Sequence, residues 1–325
     1  MTKIVALGAG RMGRGIAQVF AYAGFNVSIV DYKKRSKVES LKLLDEAKKE
    51  VSDNLEALHL LNTVRESEIK DTLERIKCVP LSYSDDVLAE ADYIFEGVPE
   101  VITEKEDALG RLSGAVGQDT VIASTTSTML STQLAKFTTR PSHFLNAHFL
   151  NPAYLIPLVE VSPSEYTAPD VTDRFIKLLE QVGKVPVKCS ASPGYIVPRL
   201  QSLICSEACR MVEEGVASAE DIDRAVTAGF GIRFSTMGPL EFVDWGGLDI
   251  LYYANRYLCS ELGERFKTPG IVDEHMEKGN LGLQTGKGMY DFSNTDVHAY
   301  KAQKLAIFVA LLSHLDLMPK SSEIT

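Results

Sequence analysis

The chain has 325 residues, 45% apolar and 24% charged, a balance that excludes a disordered or collagen-like chain and fits about two globular domains. Asp plus Glu number 44 against 34 Lys plus Arg, for a net charge of −10. So acidic a chain is not expected to take nucleic acid as a partner, because phosphate binding needs neutralising cations; local basic clusters still leave anionic substrates open.

Residues 3–7 are a short β-branched and apolar run that predicts a strand, and Gly8-Ala9-Gly10-Arg11-Met12-Gly13 follows directly. A helical pattern over 15–23 is broken by Gly24-Phe25-Asn26, and 27–30 predicts a second strand ending at Asp31. That is a β-α-β unit in about 30 residues. Residues 33–76 carry no strand signal, and their Leu and Val at helical spacing predict a long helical hairpin. Strand signals resume at 77–79, 91–96, 120–123, 143–149 and 157–161, followed by a helix over 170–182 and a strand over 185–188. The pattern predicts an α/β, doubly wound, mainly parallel sheet of the Rossmann type with a helical insertion. Ser190-Ala191-Ser192-Pro193-Gly194 is turn-rich, and beyond it helices are expected over 195–215, 218–228, 248–262 and 297–315. The expected domains are therefore 1–190, which binds dinucleotide, and 191–325, which is all-helical. The apolar stretch 305–312 is too short to span a bilayer, no secretory signal is seen, and no membrane partner is expected. Five cysteines without metal spacing predict reduced thiols, a cytoplasmic location and no metal.

Gly-x-Gly-x-x-Gly between a strand and a helix has a physical reading. Gly8 permits the tight turn, Gly10 lets the backbone approach a pyrophosphate, and Gly13 allows close helix–sheet packing. Ala9, Arg11 and Met12 complete the turn, whose amides and helix dipole favour phosphate. Asp31 lies 18 residues after Gly13, where a carboxylate accepts from ribose hydroxyls and repels a 2′-phosphate, favouring NAD. Lys33, Lys34 and Arg35 soften that preference. A ligand-free turn or a flavin site would use the same glycines.

His148-Phe149-Leu150-Asn151-Pro152 ends one strand and Leu158-Val159-Glu160-Val161 lies in the next, so the Asn-Pro turn can bring His148 and Glu160 within reach. Imidazole can take the proton of a secondary alcohol while its carbon loses hydride, and a carboxylate on the other ring nitrogen would orient it. A strand-end histidine and a separate, solvated glutamate would fit the spacing equally.

Seven segments occur in order: Gly8–Gly13, Val98-Pro99-Glu100, Ala123-Ser124-Thr125-Thr126-Ser127, 148–152, 158–161, Ser192-Pro193-Gly194-Tyr195-Ile196 and Thr285-Gly286-Lys287-Gly288-Met289-Tyr290. Together they resemble the L-3-hydroxyacyl-CoA dehydrogenase family over nearly the whole chain. The resemblance implies NAD as cofactor, a homodimer through the helical domain, His148 as base and Glu160 as its partner. It further implies that Ser127 hydrogen-bonds the substrate oxygen, that Asn151 lies between cofactor and substrate, and that Glu100 and Lys105 contact the cofactor.

Departures from the pattern bear on the substrate. Pro198 stands where Asn is usual and offers neither side-chain donor nor backbone N–H. Thr125 replaces a common Asn. In an ungapped comparison, Ala47 and Asn54 fall where the family has Ser and Lys contacting CoA. The stretch from Gly231 to Pro239 is longer than usual and adds Arg233, which resembles the λ-crystallin and L-gulonate dehydrogenase branch and carnitine dehydrogenases. A guanidinium fork suits a carboxylate. The expected substrate is thus a short-chain 3-hydroxyacyl-CoA such as 3-hydroxybutyryl-CoA; the alternatives are a CoA-free 3-hydroxy carboxylate and, more remotely, a non-enzymatic crystallin-like protein.

Overall fold

The structure, a computed structural model, describes residues 2–319. Eight strands form one sheet in the order β3-β2-β1-β4-β5-β6-β7-β8. They are β1 (Lys3–Leu7), β2 (Asn26–Asp31), β3 (Ile76–Pro80), β4 (Tyr93–Glu96), β5 (Val121–Ser124), β6 (Phe144–Phe149), β7 (Leu158–Pro163) and β8 (Val185–Lys188). Every neighbouring pair is parallel except β6–β7. All residues of β5 and β6 are buried, as strands covered on both faces must be. On one face Ile16 and Phe20 of α1 (Arg11–Tyr22) join Phe95, Phe149 and Phe175; Phe20 and Phe175 lie 5.0 and 5.7 Å from the Phe95 ring. On the other, Leu109 and Leu112 cover Val5, Leu7 and Ile94.

The expected helical hairpin is α2 (Lys37–Leu60) and α3 (Glu66–Glu74). Ser36 and Glu39 form a capping box that starts α2. Leu44, Ala47, Val51 and Leu55, three or four residues apart, make its buried stripe.

The described residues divide into two compact units, the first ending at Ile204 and the second beginning at Cys205. Residues just after the expected boundary at 190 stay with the first unit because Glu160 of β7 accepts from the amides of Ile196 and Val197, both at 2.8 Å. The next helix starts at Val197 and ends at Glu213, two residues later than predicted, since Gly194 (φ 74°) and Tyr195 (φ 45°) are left-handed.

The second unit is helical. The helix Ala219–Ala225, capped by Ser218, passes through a π-helical turn, Val226–Phe230, into Gly231–Thr236. That turn lies just before the long stretch carrying Arg233; such turns absorb extra residues without ending a helix. Fully buried Asp244, in Pro239–Gly246, accepts from the amides of Met289 and Tyr290 at 2.9 and 2.8 Å. A Cβ at Gly282 would lie 2.3 Å from the Asp244 carbonyl oxygen, and one at Gly288 2.1 Å from its carboxylate. The Thr-Gly-Lys-Gly-Met-Tyr segment is therefore a clasp on Asp244. No helix among the described residues is long and apolar enough to cross a membrane.

Candidate active site

The glycine turn joins β1 to α1. Gly8 has φ 105°, a conformation that glycine alone adopts freely. A Cβ on Gly13 would lie 1.9 Å from the Gly8 carbonyl oxygen, whereas one on Gly10 would meet nothing within 4 Å. Gly13 thus serves the turn's own packing, and Gly10 leaves open space for a ligand's approach. Gly10 caps α1 without a side-chain hydrogen bond, so the first helical amides are available to an anion. Arg11 is exposed, Met12 half-buried and Ala9 buried. A cleft of about 390 Å³ lies alongside, lined by Tyr32, Lys33, Lys34, Val98, Pro99 and Arg111 among others. Arg111 stacks over Tyr32 at 4.1 Å. Turn, amides and cleft fit a dinucleotide. Asp31 ends β2, buried, with Ser40 Oγ donating to it at 2.7 Å and Arg35 Nε at 3.4 Å.

His148 and Glu160 are directly opposed in the antiparallel β6–β7 register. His148 Nδ1 lies 2.7 Å from Glu160 Oε2; the histidine is 4% exposed and the glutamate 0%. Because Oε1 receives the Ile196 and Val197 amides, both carboxylate oxygens are satisfied. Such a buried anion can orient an imidazole and stabilise its protonated form, leaving Nε2 free to work.

Ser127 is exposed in the loop after β5. Glu100 Oε1 organises that loop, accepting from the amides of Ser127 at 2.7 Å and Thr128 at 3.1 Å and from the hydroxyls of Thr126 and Thr128. Burial pushes the Glu100 carboxyl up, but the Thr126 hydroxyl, Lys105 and the Ser127 amide outweigh it and hold it below the ordinary carboxylate range. Lys105, 1% exposed, binds Glu96 Oε1 at 3.1 Å and Glu100 Oε2 at 3.4 Å. The fully buried Glu96 in turn accepts from Ser124 Oγ at 2.5 Å and the Val98 amide at 2.7 Å. Exposed Glu100 and buried Lys105 thus belong to one ion-pair network beneath the Ser127 loop.

Asn151 is exposed in the β6–β7 turn. Buried Lys184 closes that turn, its ammonium donating to the carbonyl oxygens of Ala153 and, at 2.7 Å, Ile156. The structure brings His148, Glu160, Ser127, Asn151, Glu100, Lys105 and the glycine turn onto β1, β4, β5, β6, β7 and their loops. The parallel members end on one edge, the usual ligand-binding edge of such sheets. Arg233 belongs to the second unit: exposed, it lies over the Phe242 ring at 5.2 Å beside a cavity of about 130 Å³ lined by Trp245, Lys304 and Phe308. Glu96, Lys184 and Tyr195 escaped the sequence reading. A carboxylate closing an apolar strand, a lysine between Gly183 and a strand, and an aromatic after Gly194 were the signals.

A dinucleotide turn and a buried histidine–glutamate pair on one doubly wound sheet define an NAD-dependent dehydrogenase. The sequence matches the NAD binding domain of 3-hydroxyacyl-CoA dehydrogenase over residues 3–192 and its C-terminal domain over 194–292. The chain belongs to the 3-hydroxyacyl-CoA dehydrogenase family. It is 32% identical over 296 residues to the mitochondrial hydroxyacyl-coenzyme A dehydrogenase of Sus scrofa, covering 89% of this chain and 90% of that one. It is 29% identical over 312 residues to the 5-formyl-3-hydroxy-2-methylpyridine 4-carboxylate 5-dehydrogenase of Mesorhizobium japonicum, covering 95% and 96%. The crystal structure of the 3-hydroxyacyl-CoA dehydrogenase of Archaeoglobus fulgidus, 29% identical, superposes with a TM-score of 0.78 over 98% of this chain and 100% of that chain.

Proposed function

We propose that the chain oxidises the S-configured 3-hydroxyl of a short-chain 3-hydroxyacyl-CoA, such as 3-hydroxybutyryl-CoA, reversibly to the 3-ketone. The observation that carries the chemistry is the His148–Glu160 pair at 2.7 Å, with one imidazole nitrogen uncommitted. Nε2 of His148 takes the hydroxyl proton, Glu160 stabilises the resulting imidazolium, and Ser127 donates to the substrate oxygen. NAD, when bound, would supply the hydride acceptor. The amides of the 8–13 turn would hold its pyrophosphate and Asp31 its ribose; Asn151 and Glu100 would orient cofactor and substrate, and Lys105 would act through Glu100. The thioester assignment is supported by relatives named for CoA substrates.

A second reading, a CoA-free 3-hydroxy carboxylate, is favoured by the hairpin. Ala47 is fully buried, and Asn54 is engaged with Gln18 Oε1 and the Tyr154 hydroxyl, each at 3.3 Å. Glu50, on the same helix, pairs with Arg14. The positions compared with CoA contacts therefore offer no free cation, and Arg233 would supply one for a carboxylate. The pyridine carboxylate named for the Mesorhizobium relative fits this reading. An NAD-reduction screen with 3-hydroxybutyryl-CoA, L-gulonate, carnitine and free 3-hydroxybutyrate decides: thioester turnover alone upholds the first reading, free-acid turnover alone the second, and silence throughout refutes both.

The assembly we infer is a homodimer through the helical C-terminal domain. Ile250, Tyr253 and Tyr257 follow one another at helical spacing in Leu248–Leu262, each more than half exposed, and an isologous contact is the commonest cover for such a stripe. All five cysteines are free, which supports a reducing compartment such as the cytoplasm.

A further inference from the structure

With His148 as base and Ser127 as the substrate's hydrogen-bond partner, roles on which this inference rests, both groups must be held in one mutual geometry. Tyr195 touches the surroundings of both. Its ring lies parallel to the His148 ring, with centroids 5.1 Å apart and an interplanar angle of 3°. Its hydroxyl donates to the Thr126 carbonyl oxygen at 2.9 Å and accepts from Asn146 Nδ2 at 2.9 Å. The same Asn146 amide donates to the Met129 carbonyl oxygen at 2.9 Å, on the far side of the loop. The carbonyl of Thr126 and the N–H of Ser127 belong to one peptide group, and that N–H donates to Glu100 at 2.7 Å. The peptide before Ser127 is thus gripped at both ends, by Tyr195 on its oxygen and by Glu100 on its nitrogen.

The backbone of Tyr195 carries the same message. At φ 45° it is left-handed, directly after left-handed Gly194, a conformation that a bulky residue adopts only where its surroundings enforce it. Immediately after this turn, the amides of Ile196 and Val197 meet Glu160 Oε1. Burial pushes the phenol up, so it stays protonated and remains a donor. Its proton is committed to a carbonyl oxygen and the side chain is buried, which suits holding rather than proton transfer.

We propose that Tyr195 is a positioning residue that registers the base against the Ser127 loop, its ring setting the plane of the imidazole and its hydroxyl fixing the peptide before Ser127. Tyr195→Phe keeps the ring and removes the hydroxyl. It should lower kcat about tenfold, the worth of one well-placed buried hydrogen bond, with the KM for NAD unchanged. Tyr195→Leu should lower kcat further. The deciding measurement is a double-mutant cycle on kcat with Ser127→Ala, using the most active compound of the screen as probe. If the hydroxyl acts through Ser127, the double variant with Phe is no slower than Ser127→Ala alone. Losses that multiply, or a Phe variant with wild-type kcat, overturn the proposal. A Ser127→Ala variant at wild-type rate also overturns it, but by removing the Ser127 role; His148→Gln tests the base separately. A stability change alone leaves the cycle additive, so thermal unfolding of each variant distinguishes simple loosening of the fold from positioning.

Discussion

One nitrogen of His148 is spent on Glu160 and the other is available, and this asymmetry makes the residue testable on its own. His148→Gln keeps a polar side chain but cannot carry the proton, and kcat should fall by at least ~10²-fold, the usual contribution of a general base. NAD affinity, measured by titration, should change little, because the 8–13 turn makes no use of the imidazole. Near-normal turnover by a folded variant would sink the assignment. Arg233 answers a different question. Among the described residues it forms no ion pair and rests over Phe242, so its charge is available to a ligand. If substrate binding buries it against a free carboxylate, Arg233→Ala should cost about 2–5 kcal/mol in kcat/KM for that acid and leave a thioester almost unaffected. An unchanged ratio between the two substrates would make Arg233 a residue of the helix surface and remove the main support for the free-acid substrate.

At the scale of elements, the β6–β7 turn is held from below by Lys184. Burial draws its pKa down to about 8, against about 10.4 in an unfolded chain. Between these values the unfolded chain binds the proton more readily than the folded one, so this residue's contribution to stability rises with pH over that window. Below about pH 8 the folded state bears the full cost of a buried charge. The difference in melting temperature between wild type and Lys184→Met should therefore shift in favour of wild type from pH 8 to 10; a difference that stays flat would show that the amine is not desolvated. The same elements show what a sequence can reveal. Strands were readable because a parallel sheet covered on both faces needs apolar runs, and His148 and Glu160 could be paired because a short turn joins their strands. The helix Ile102–Ala115 was hidden because its buried positions include Lys105 beside Ala108, Leu109 and Leu112, so its inward stripe looks charged. The start of Val197–Glu213 was hidden by Tyr195: a glycine advertises a left-handed turn, a tyrosine does not. Glu96 was invisible as an anchor because its side-chain partners lie 9 and 28 positions away along the chain.

For the whole molecule, the second unit leaves many large apolar side chains exposed. None of the described side chains in Val297–His314 is buried, and Tyr253, Tyr257 and Leu305 all stand more than half exposed. Light scattering at micromolar concentration should give about twice the chain mass of 35.7 kDa; a monomer that stays active at nanomolar dilution would refute the dimer. The clasp on Asp244 has a consequence for genetics. Gly282 and Gly288 have no room for a side chain against Asp244, and neither carries a reactive group. In a saturation survey scored by growth or turnover, both sites should be as intolerant as His148, and a map of intolerant positions would mark a second cluster with no chemistry in it. Counting folded protein in the same cells would part the two classes: His148→Gln should accumulate normally, while Gly288→Ala should be depleted. Normal accumulation of Gly288→Ala would mean that the clasp can open to admit a methyl group.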